Sequence, residues 1–386
     1  MEYTKLGHIA KIQTGPFGSQ LHQSDYKPSG IPCIMPCNIG SNLDIICDNI
    51  AYISEEDLNR LAKHKTQEGD IVYSRRGDIE KCAYISSKES GWLCGTGCLK
   101  VSIDNTVAIP KFIAYLLSTP DSKAWLVGNA VGTTMLNLNT TVLSDFPISL
   151  PDIETQQKVV DIIDAVADKI ELNKRINDNL EQQAEALYKS WFVDFEPFKD
   201  QEFVESEFGL IPEGWQCTTL SELLSIKYGK DHKKLAEGTI PVYGSGGLMR
   251  YVDTKLHEGE AVLIPRKGTL NNVMYVNEEF WTVDTMFYSI PKQENSCIYA
   301  YLFLANKDLA SMNAGSAVPS MTTDILNNML IIAPPAEVLR QFNNISNVYF
   351  SRINQNNIEN ANLSNQRDTL LPKLMSGELK VNEIDC

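Results

Sequence analysis

Two short basic segments, each ending in a glycine, carry the side chains best suited to chemistry in this sequence. Arg75–Gly77 and Arg266–Gly268 lie in matching surroundings, EGDIVYSRRGDIEKCAYI at residues 68–85 and EGEAVLIPRKGTLNNVMYV at residues 258–276. Arginine and lysine donate hydrogen bonds to phosphate oxygens and to base edges, as nucleic-acid recognition requires. The alternative for any basic cluster is ordinary solvated surface. Because the segment occurs twice, we favour a shared binding role for both copies.

Other side chains that could donate or accept hydrogen bonds lie in loops around these segments. Glycines in TGPFGSQ, residues 14–20, allow the backbone to approach a partner closely. Loops carry binding function more often than cores do, yet about half of these positions are expected only to shape loops or face water. In the first half of the chain the candidates are Thr14, Ser19, Gln20, Arg75, Arg76, Lys81, Thr133, Thr134 and Asn137. In the second half they are Tyr228, Lys230, Lys233, Lys234, Tyr243, Ser245, Arg250, Arg266, Lys267, Asn271, Asn272, Ser316 and Ser320.

The repetition extends through the whole chain. LGHIAKIQTG at residues 6–15 returns as LSELLSIKYG at 220–229, and FIAYLLSTPDSKAWL at 112–126 returns as YAYLFLANKDLASM at 299–312. A repeat of about half the protein predicts a duplicated pair of domains and not a short-repeat solenoid.

We predict two similar globular domains, residues 1–150 and 201–333, each of α/β class with a mixed, mostly antiparallel sheet. A helix is expected from Pro110 to Leu117, since proline suits the first helical position. The β-like runs in the first domain are Asp70–Tyr73, Cys82–Ile85, Leu99–Ile103 and Phe146–Leu150.

Two long helices are predicted, one in the central segment 151–200 and one in the C-terminal segment 334–386. From Asp152 to about Trp191 the chain has no glycine and no internal proline. Apolar residues three or four positions apart form one seam on each helix. The seam of the first helix is Val159, Ile163, Val166, Ile170, Leu180, Ala184 and Leu187, and that of the second is Phe342, Tyr349, Ile353, Leu363 and Leu370.

Four asparagines interrupt these seams. Asn173 and Asn177 occupy seam positions on the first helix, and a shift of 183 positions brings them to Asn356 and Asn360 on the second. A buried asparagine in a helical seam costs stability but specifies register and partner. We predict this register role; the alternative is that the four side chains are exposed and the seam is broken.

Two such helices would pair as an antiparallel coiled coil with pseudo-two-fold symmetry. A helix of about 40 residues is about 60 Å long. The two domains would therefore lie tens of ångströms apart, at opposite ends of the coiled coil. One turn of DNA is about 34–36 Å. Each domain could then read one half of a divided target, with an unread gap between the halves.

Composition limits the other possibilities. The chain of 386 residues has a net charge of −15, with acid in excess in all four predicted segments, so alone it should bind nucleic acid weakly and need basic partners. No run approaches the ~20 apolar residues of a membrane span, and the N-terminus has no export core. Nine cysteines without an export signal are typical of reduced cytosolic thiols, which predicts a cytoplasmic protein.

Motifs for metal or catalytic chemistry are missing from the sequence. Cys33/Cys37 and Cys94/Cys98 are each four apart, but no further ligand completes a zinc quartet. There is no phosphate loop and no glycine-rich turn for S-adenosylmethionine, and the five histidines are scattered. The segment GELK at 377–380 is better explained as a helix end closed by Gly377 than as part of a nuclease. We predict no catalytic residue and no metal site.

The long helices resemble the conserved regions of Type I restriction–modification specificity subunits. The resemblance lies in ELNKRINDNLEQQAEALYKSWFVDFEPF (171–198), RDTLLPKLMSGELKV (367–381) and LPDIETQQKVVDIID (150–164). LGHIAKIQTGPFGSQL from Leu6 and IPEGWQCTTLSELLSIKYGK from Ile211 look like the starts of that family's two target recognition domains. The second helix departs from the pattern, since it lacks the Gln-Gln start and carries many asparagines.

The resemblance implies two target recognition domains separated by an antiparallel coiled coil, each domain reading one half of a bipartite DNA site. It implies two modification (methyltransferase) subunits as partners and, in the full complex, restriction subunits. S-adenosylmethionine, ATP and Mg would belong to those partners, and this chain would carry no cofactor. Two alternatives are a coiled-coil protein–protein scaffold without base readout and, less compatible with the missing motifs, a self-sufficient enzyme.

An aromatic band closes the first helix, and its role has two interpretations. The residues are Tyr188, Trp191, Phe192, Phe195 and Phe198. Aromatic side chains serve both cores and interfaces. They either pack the helix end onto a domain, which we favour, or partly dock a modification subunit.

Overall fold

The structure, a computed structural model, describes residues 2–132, 136–312 and 320–380. The chain divides into two compact units. Unit 1 comprises Met1–Glu171 and Glu359–Cys386, and unit 2 comprises Leu172–Ile358. Each unit therefore combines one globular domain with part of each long helix.

The first half of the chain contains nine strands and six helices among the described residues. The strands are β1 (Glu2–Lys5), β2 (Ala10–Thr14), β3 (Ile31–Ile34), β4 (Ala51–Ile53), β5 (Ile71–Ser74), β6 (Cys82–Tyr84), β7 (Leu93–Cys94), β8 (Cys98–Ile103) and β9 (Pro147–Leu150). The helices are α1 (Leu6–Ile9), α2 (Glu55–Arg60), α3 (Pro110–Ser118), α4 (Pro120–Asn129), α5 (Thr140–Ser144) and α6 (Ile153–Phe192).

The second half has a similar order of elements. Its strands are β10 (Phe203–Ser206), β11 (Gly209–Pro212), β12 (Gln216–Thr219), β13 (Leu224–Tyr228), β14 (Ile240–Gly244), β15 (Gly247–Val252), β16 (His257–Pro265), β17 (Met274–Thr282), β18 (Met286–Pro291) and β19 (Leu330–Ala333). Its helices are α7 (Leu220–Leu223), α8 (Cys297–Ala305), α9 (Thr323–Asn327) and α10 (Ala336–Ser376).

The two domains share one strand topology. In unit 1 the order is β2-β8-β5-β6, and in unit 2 the strands β13-β18-β16-β17 pair in the same order. A parallel pair adjoins each set, β3 with β7 and β14 with β17. The first and last strands of each domain also pair, β1 with β9 and β12 with β19. The predicted duplication and the mixed, mostly antiparallel α/β fold are confirmed.

An insertion explains why unit 1 has two sheets where unit 2 has one sheet of six strands. Strand β17 is continuous, so it reaches both β16 and β14. Its counterpart in unit 1 is divided into β6 and β7 by residues 85–92, a loop that turns at Gly91 with φ of 95°. The predicted strands and the helix at Pro110 agree with the observed elements within one residue. The four-segment boundaries at 150, 200 and 333 remain a prediction.

Both long helices contribute to the core of each unit. In unit 1, Ile163 of α6 and Leu374 of α10 pack in one buried cluster with Phe112 of α3. In unit 2, α6 and α10 share a cluster with Tyr299 of α8. Burial of apolar surface stabilises these contacts by about 25 cal/mol per Å². Each domain is therefore packed against its own portions of the helices.

Within each unit the portions of α6 and α10 run antiparallel. In unit 2 the Asn177 side chain bonds Asn356, whereas the later Phe192 ring lies 4.8 Å from the earlier Phe342 ring. In unit 1 the first turns of α6 pack with the last turns of α10. The predicted seam residues are all buried or half-buried.

The asparagines in the seam are buried, as the register hypothesis requires. Asn173 is 0% exposed, Asn177 8% and Asn356 1%, and Asn360 is half-buried. The Asn356 amide donates to Asn177 Oδ1 at 2.8 Å, and the Asn177 amide donates to Asn357 Oδ1 at 2.9 Å. The seam pattern does not indicate Asn357, because this residue lies next to the seam position and is itself exposed.

Gln156 shows why the two helix starts differ in sequence. Its side chain accepts from the Ile109 N–H at 2.9 Å and donates to the Pro151 carbonyl at 2.9 Å. It thereby joins the start of α6 to the residue preceding α3. After the shift of 183 positions its place is taken by Leu339, which is fully buried. Unit 2 thus has an apolar contact where unit 1 has a hydrogen-bonded one, which accounts for the loss of the first glutamine of the Gln-Gln start.

The aromatic band at the end of α6 packs inside unit 2. Phe192 lies 4.5 Å from the Tyr299 ring and 5.9 Å from the Trp215 ring, measured between centroids. Trp191 meets Phe198 edge to face at 5.8 Å. These contacts support the interpretation that the band fastens the helix end to the domain.

Replacing Asn177 by alanine should lower the free energy of unfolding by about 1–3 kcal/mol, because the buried Asn356 amide loses its acceptor. Urea unfolding followed by circular dichroism measures this difference. The control is Gln182→Ala, which removes an exposed side chain from the same helix and should change stability by less than about 0.5 kcal/mol. Equal effects of the two substitutions would show that the asparagine bridge does not stabilise the helix pair.

Candidate nucleic-acid interface

A glycine at the end of the first sheet strand sets the geometry of each candidate site. Strands β2 and β13 are followed directly by Gly15 and Gly229. A Cβ atom on Gly15 would lie 2.0 Å from the Gly95 carbonyl oxygen, and one on Gly229 would lie 2.0 Å from the Val283 carbonyl oxygen. Only glycine permits so close a backbone approach. In both units the loop that follows this strand therefore packs closely against a neighbouring backbone segment, and glycine is required for the same steric reason.

The two basic segments emerge beside these glycines. Arg75 follows β5, and its backbone N–H donates to the Gly97 carbonyl at 2.8 Å. Arg266 follows β16, and its N–H donates to the Thr285 carbonyl at 2.9 Å. After each arginine the backbone turns at a glycine with positive φ, 77° at Gly77 and 86° at Gly268. The equivalence predicted for the two segments is thus visible in their backbone hydrogen bonds.

A third segment completes the site in each unit. In unit 1 the Leu138 N–H donates to the Arg75 carbonyl at 2.9 Å, and Arg76 forms a β-bridge with Asn137. In unit 2 the Met321 N–H donates to the Arg266 carbonyl at 2.9 Å, and Lys267 forms a β-bridge with Ser320. Each unit therefore brings three separate loops together at one end of its sheet, a surface that we call the three-loop surface.

The arginine side chains on the three-loop surfaces lie over aromatic rings. The Arg75 Cζ atom is 5.7 Å from the centroid of Phe17, and the Arg266 Cζ atom is 5.5 Å from that of Tyr228. Phe17 lies inside the loop 14–20 but was not among the predicted residues. The sequence does not show that a ring lies near the basic segment, because the contact forms only when the loop after β2 meets the end of β5 across the intervening strand β8.

Both surfaces carry cationic groups that lie outside the ion pairs of the described residues. The ion pairs found across residues 2–132, 136–312 and 320–380 include neither Arg75, Arg76, Arg266 nor Lys267. The Arg75 Nε atom is buried and has no hydrogen-bond partner within those same ranges. Cations outside ion pairs keep their charge for an anionic partner, although one N–H group of Arg266 donates to the Asp284 carbonyl at 3.3 Å.

Several candidates hold the fold together with their own side chains. The Arg250 guanidinium donates to the His232 and Leu235 carbonyls at 2.8 and 2.9 Å. The Tyr243 hydroxyl donates to Glu278, and burial together with this carboxylate raises the pKa of Tyr243. Either side chain could contact nucleic acid only if these hydrogen bonds were broken.

Other candidates are engaged in loop contacts. Asn271 donates to Asp308 at 3.0 Å, and Asn272 donates to the Ser245 carbonyl at 2.8 Å. Lys81 pairs with Asp78 at 3.0 Å. Gln20 accepts from the Phe17 N–H at 3.2 Å. These contacts indicate a loop-shaping role, as expected for about half of the set.

The remaining candidates lie in turns or at strand ends. Ser19, Lys230, Lys233 and Lys234 are exposed, while Thr14 at the end of β2 is half-buried. Thr133, Thr134 and Ser316 lie outside the residues that the structure describes. Binding by any of the predicted residues remains a prediction.

No group of histidine, cysteine, aspartate or glutamate side chains suited to a metal ion occurs among the described residues. Burial raises the pKa of the Cys33 and Cys82 thiols to about 12, so these cysteines are poor metal ligands and poor nucleophiles at neutral pH. Within the same residues, no helix has both the length and the apolar character that crossing a membrane requires.

Comparison with known proteins places the chain in a family. The model described as "Type I restriction modification DNA specificity domain" matches residues 1–182 and 212–364. The Type I restriction enzyme MjaIX specificity subunit of Methanocaldococcus jannaschii is 25% identical over 389 residues, covering 93% of this chain and 89% of the relative. The HindI specificity subunit of Haemophilus influenzae is 25% identical over 412 residues, covering 84% and 89%.

A solved structure shares the fold. The crystal structure of a Type I restriction–modification S subunit from M. genitalium superposes with a TM-score of 0.60 at 17% identity, covering 97% of this chain and 96% of that one. Two domains of one topology, each with a basic three-loop surface, and two long helices define a duplicated recognition protein. The chain belongs to the family of Type I restriction–modification DNA specificity subunits. The predicted family and function are confirmed, and a scaffold without base readout is not favoured.

Gly15→Ala should disturb the three-loop surface of unit 1, because the new methyl group would overlap the Gly95 carbonyl. We expect a loss of about 1–3 kcal/mol in the free energy of unfolding, the usual cost of overpacking. The control is Gly18→Ala in the same loop, where a Cβ atom meets nothing within 4 Å. Urea titration of both variants measures the difference, and a fully stable Gly15→Ala protein would contradict the close-approach argument.

Proposed function

We propose that each unit reads one half of a bipartite DNA target through its three-loop surface. The observation that carries this proposal is the duplicated convergence of three loops around an arginine, Arg75 in unit 1 and Arg266 in unit 2. Arginine recognises guanine by paired hydrogen bonds to N7 and O6 in the major groove. Two similar but non-identical surfaces suit a target whose two halves differ in sequence.

We further propose that α6 and α10 dock two modification subunits in the cytoplasm, with restriction subunits joining the complete complex. S-adenosylmethionine, ATP and Mg would act on those partners, while this chain selects the sequence. The charge of −15 supports this division, since an acidic chain gains little from counterion release at phosphates. Partners that contribute basic surface would supply that part of the affinity.

The first experiment is methylome mapping of cells that express this chain with its modification subunits. We expect one bipartite methylated motif, which is absent without the chain. Exchange of residues 1–150 for the corresponding domain of another specificity subunit should alter one half of the motif and leave the other intact. An unchanged motif would overturn the proposal, and assembly of partners without sequence-dependent DNA retention would favour the scaffold.

Arg75→Ala should weaken binding of the assembled complex to its mapped target by about 1–3 kcal/mol and relax the preference at one base pair. The control is Lys88→Ala, which removes one exposed charge beyond the far end of the β5–β6 pair. Fluorescence anisotropy at fixed salt, with the target and single-base variants, measures both quantities. Equal losses for the two variants would indicate a general charge effect.

A further inference from the structure

We propose that Phe17 and Tyr228 are positioning residues that orient the guanidinium groups of Arg75 and Arg266 for reading base edges. This inference rests on the proposed function and deepens it, because it names the side chains that hold the central arginine of each three-loop surface. Phe17 was not among the candidate residues. Tyr228 was a candidate for direct contact with DNA, and here it acts through Arg266.

The same contact is made from different sequence positions in the two units. Phe17 lies two residues after Gly15, whereas Tyr228 lies immediately before Gly229. The distances from ring centroid to arginine Cζ nevertheless agree, at 5.7 and 5.5 Å. A simple remnant of duplication would place the ring at equivalent positions. The two domains instead place an aromatic ring against the arginine from different positions in the sequence. We take this as support for a functional requirement for the contact itself.

Hydrogen bonds fix the backbone at Phe17, and an aromatic contact holds the ring of Tyr228. The Phe17 backbone N–H donates to Gln20 Oε1, and its carbonyl accepts from the Gln20 N–H at 2.7 Å, which closes a tight turn. The Tyr228 ring packs edge to face on Phe287 at 5.0 Å. The side chains remain 53% and 52% exposed. Burial of such exposed side chains contributes little to stability, so the hydrophobic effect alone does not explain an aromatic ring at both positions.

An aromatic ring can orient an arginine without neutralising it. A carboxylate would also hold the guanidinium, but it would cancel the charge and repel the phosphates of a nucleic acid. The ring attracts the cation through its quadrupole and leaves the net charge unchanged. Among residues 2–132, 136–312 and 320–380, no ion pair engages either arginine. For Arg75 the ring is the side-chain contact found among the described residues. The Arg266 guanidinium is held by its ring and also donates to the Asp284 carbonyl at 3.3 Å.

Orientation matters more for bases than for phosphates. Recognition of guanine needs two N–H groups of a planar fork directed at N7 and O6, and a rotated plane loses one of them. A phosphate presents oxygen acceptors in several directions, so a guanidinium can bind it in more than one orientation, whereas the N7 and O6 atoms of guanine have fixed positions. A ring that limits rotation of the guanidinium accordingly favours base reading.

The test measures specificity of the complex with its modification subunits on the mapped target. For each variant, dissociation constants are compared between the target duplex and duplexes in which one base pair is changed. Phe17→Leu should lower the specificity ratio about two- to fivefold at one base pair of one half-site, as expected for an exposed cation–π contact. Phe17→Tyr keeps a ring and should retain the ratio. Tyr228→Leu and Tyr228→Phe should behave in the same way at the other half-site.

Arg75→Ala and the double variant with Phe17→Leu complete a mutant cycle. We expect Phe17→Leu to have no further effect once Arg75 is removed, because the ring acts through the arginine. An equal loss in both backgrounds, a uniform loss over both half-sites, or failure of tyrosine to retain the ratio would overturn the inference. If Arg75→Ala itself leaves specificity unchanged, the proposed reading surface fails; if only the leucine variant is silent, the positioning role fails alone.

Discussion

The backbone of one arginine in each unit is the element on which the rest of the site depends. Arg75 donates its N–H to Gly97 and accepts from Leu138, and Arg266 does the same with Thr285 and Met321. These two hydrogen bonds join each arginine to two segments that are distant from it in sequence. Because these hydrogen bonds fix the backbone of the arginine, its side chain leaves the sheet in one direction. The sheet therefore positions the irregular loops of the three-loop surface.

The helices contribute a different constraint. Their antiparallel packing places apolar side chains and an asparagine bridge in one seam, and each domain adds its own core residues to the same surface. Apolar contacts alone tolerate slippage along a helix, whereas the hydrogen bond from the Asn356 amide to Asn177 Oδ1 requires these two residues to face each other. Burial of the apolar side chains thus stabilises the helix pair, and we predict that the buried polar pair sets its alignment.

Recognition chemistry was harder to predict than fold. Repetition of residues 68–85 at 258–276 pointed to the correct basic segments, because local sequence specifies a strand followed by a glycine turn. It could not distinguish Arg75, which forms no ion pair with the residues that the structure describes, from Arg250, whose guanidinium is bound to the backbone. Nor could it find Phe17, since a contact between loops 58 residues apart leaves no periodic signal.

The sequence by itself determined the duplication, the α/β class, the two long helices and the family, because these depend on spacing and repetition along the chain. Tertiary structure alone decided which polar residues shape loops and which face outward, how Gln156 and Leu339 replace each other, and where β6 and β7 divide. The reason is physical: periodicity is a local property of the chain, whereas a hydrogen bond or a ring contact depends on which distant segments the fold brings within a few ångströms.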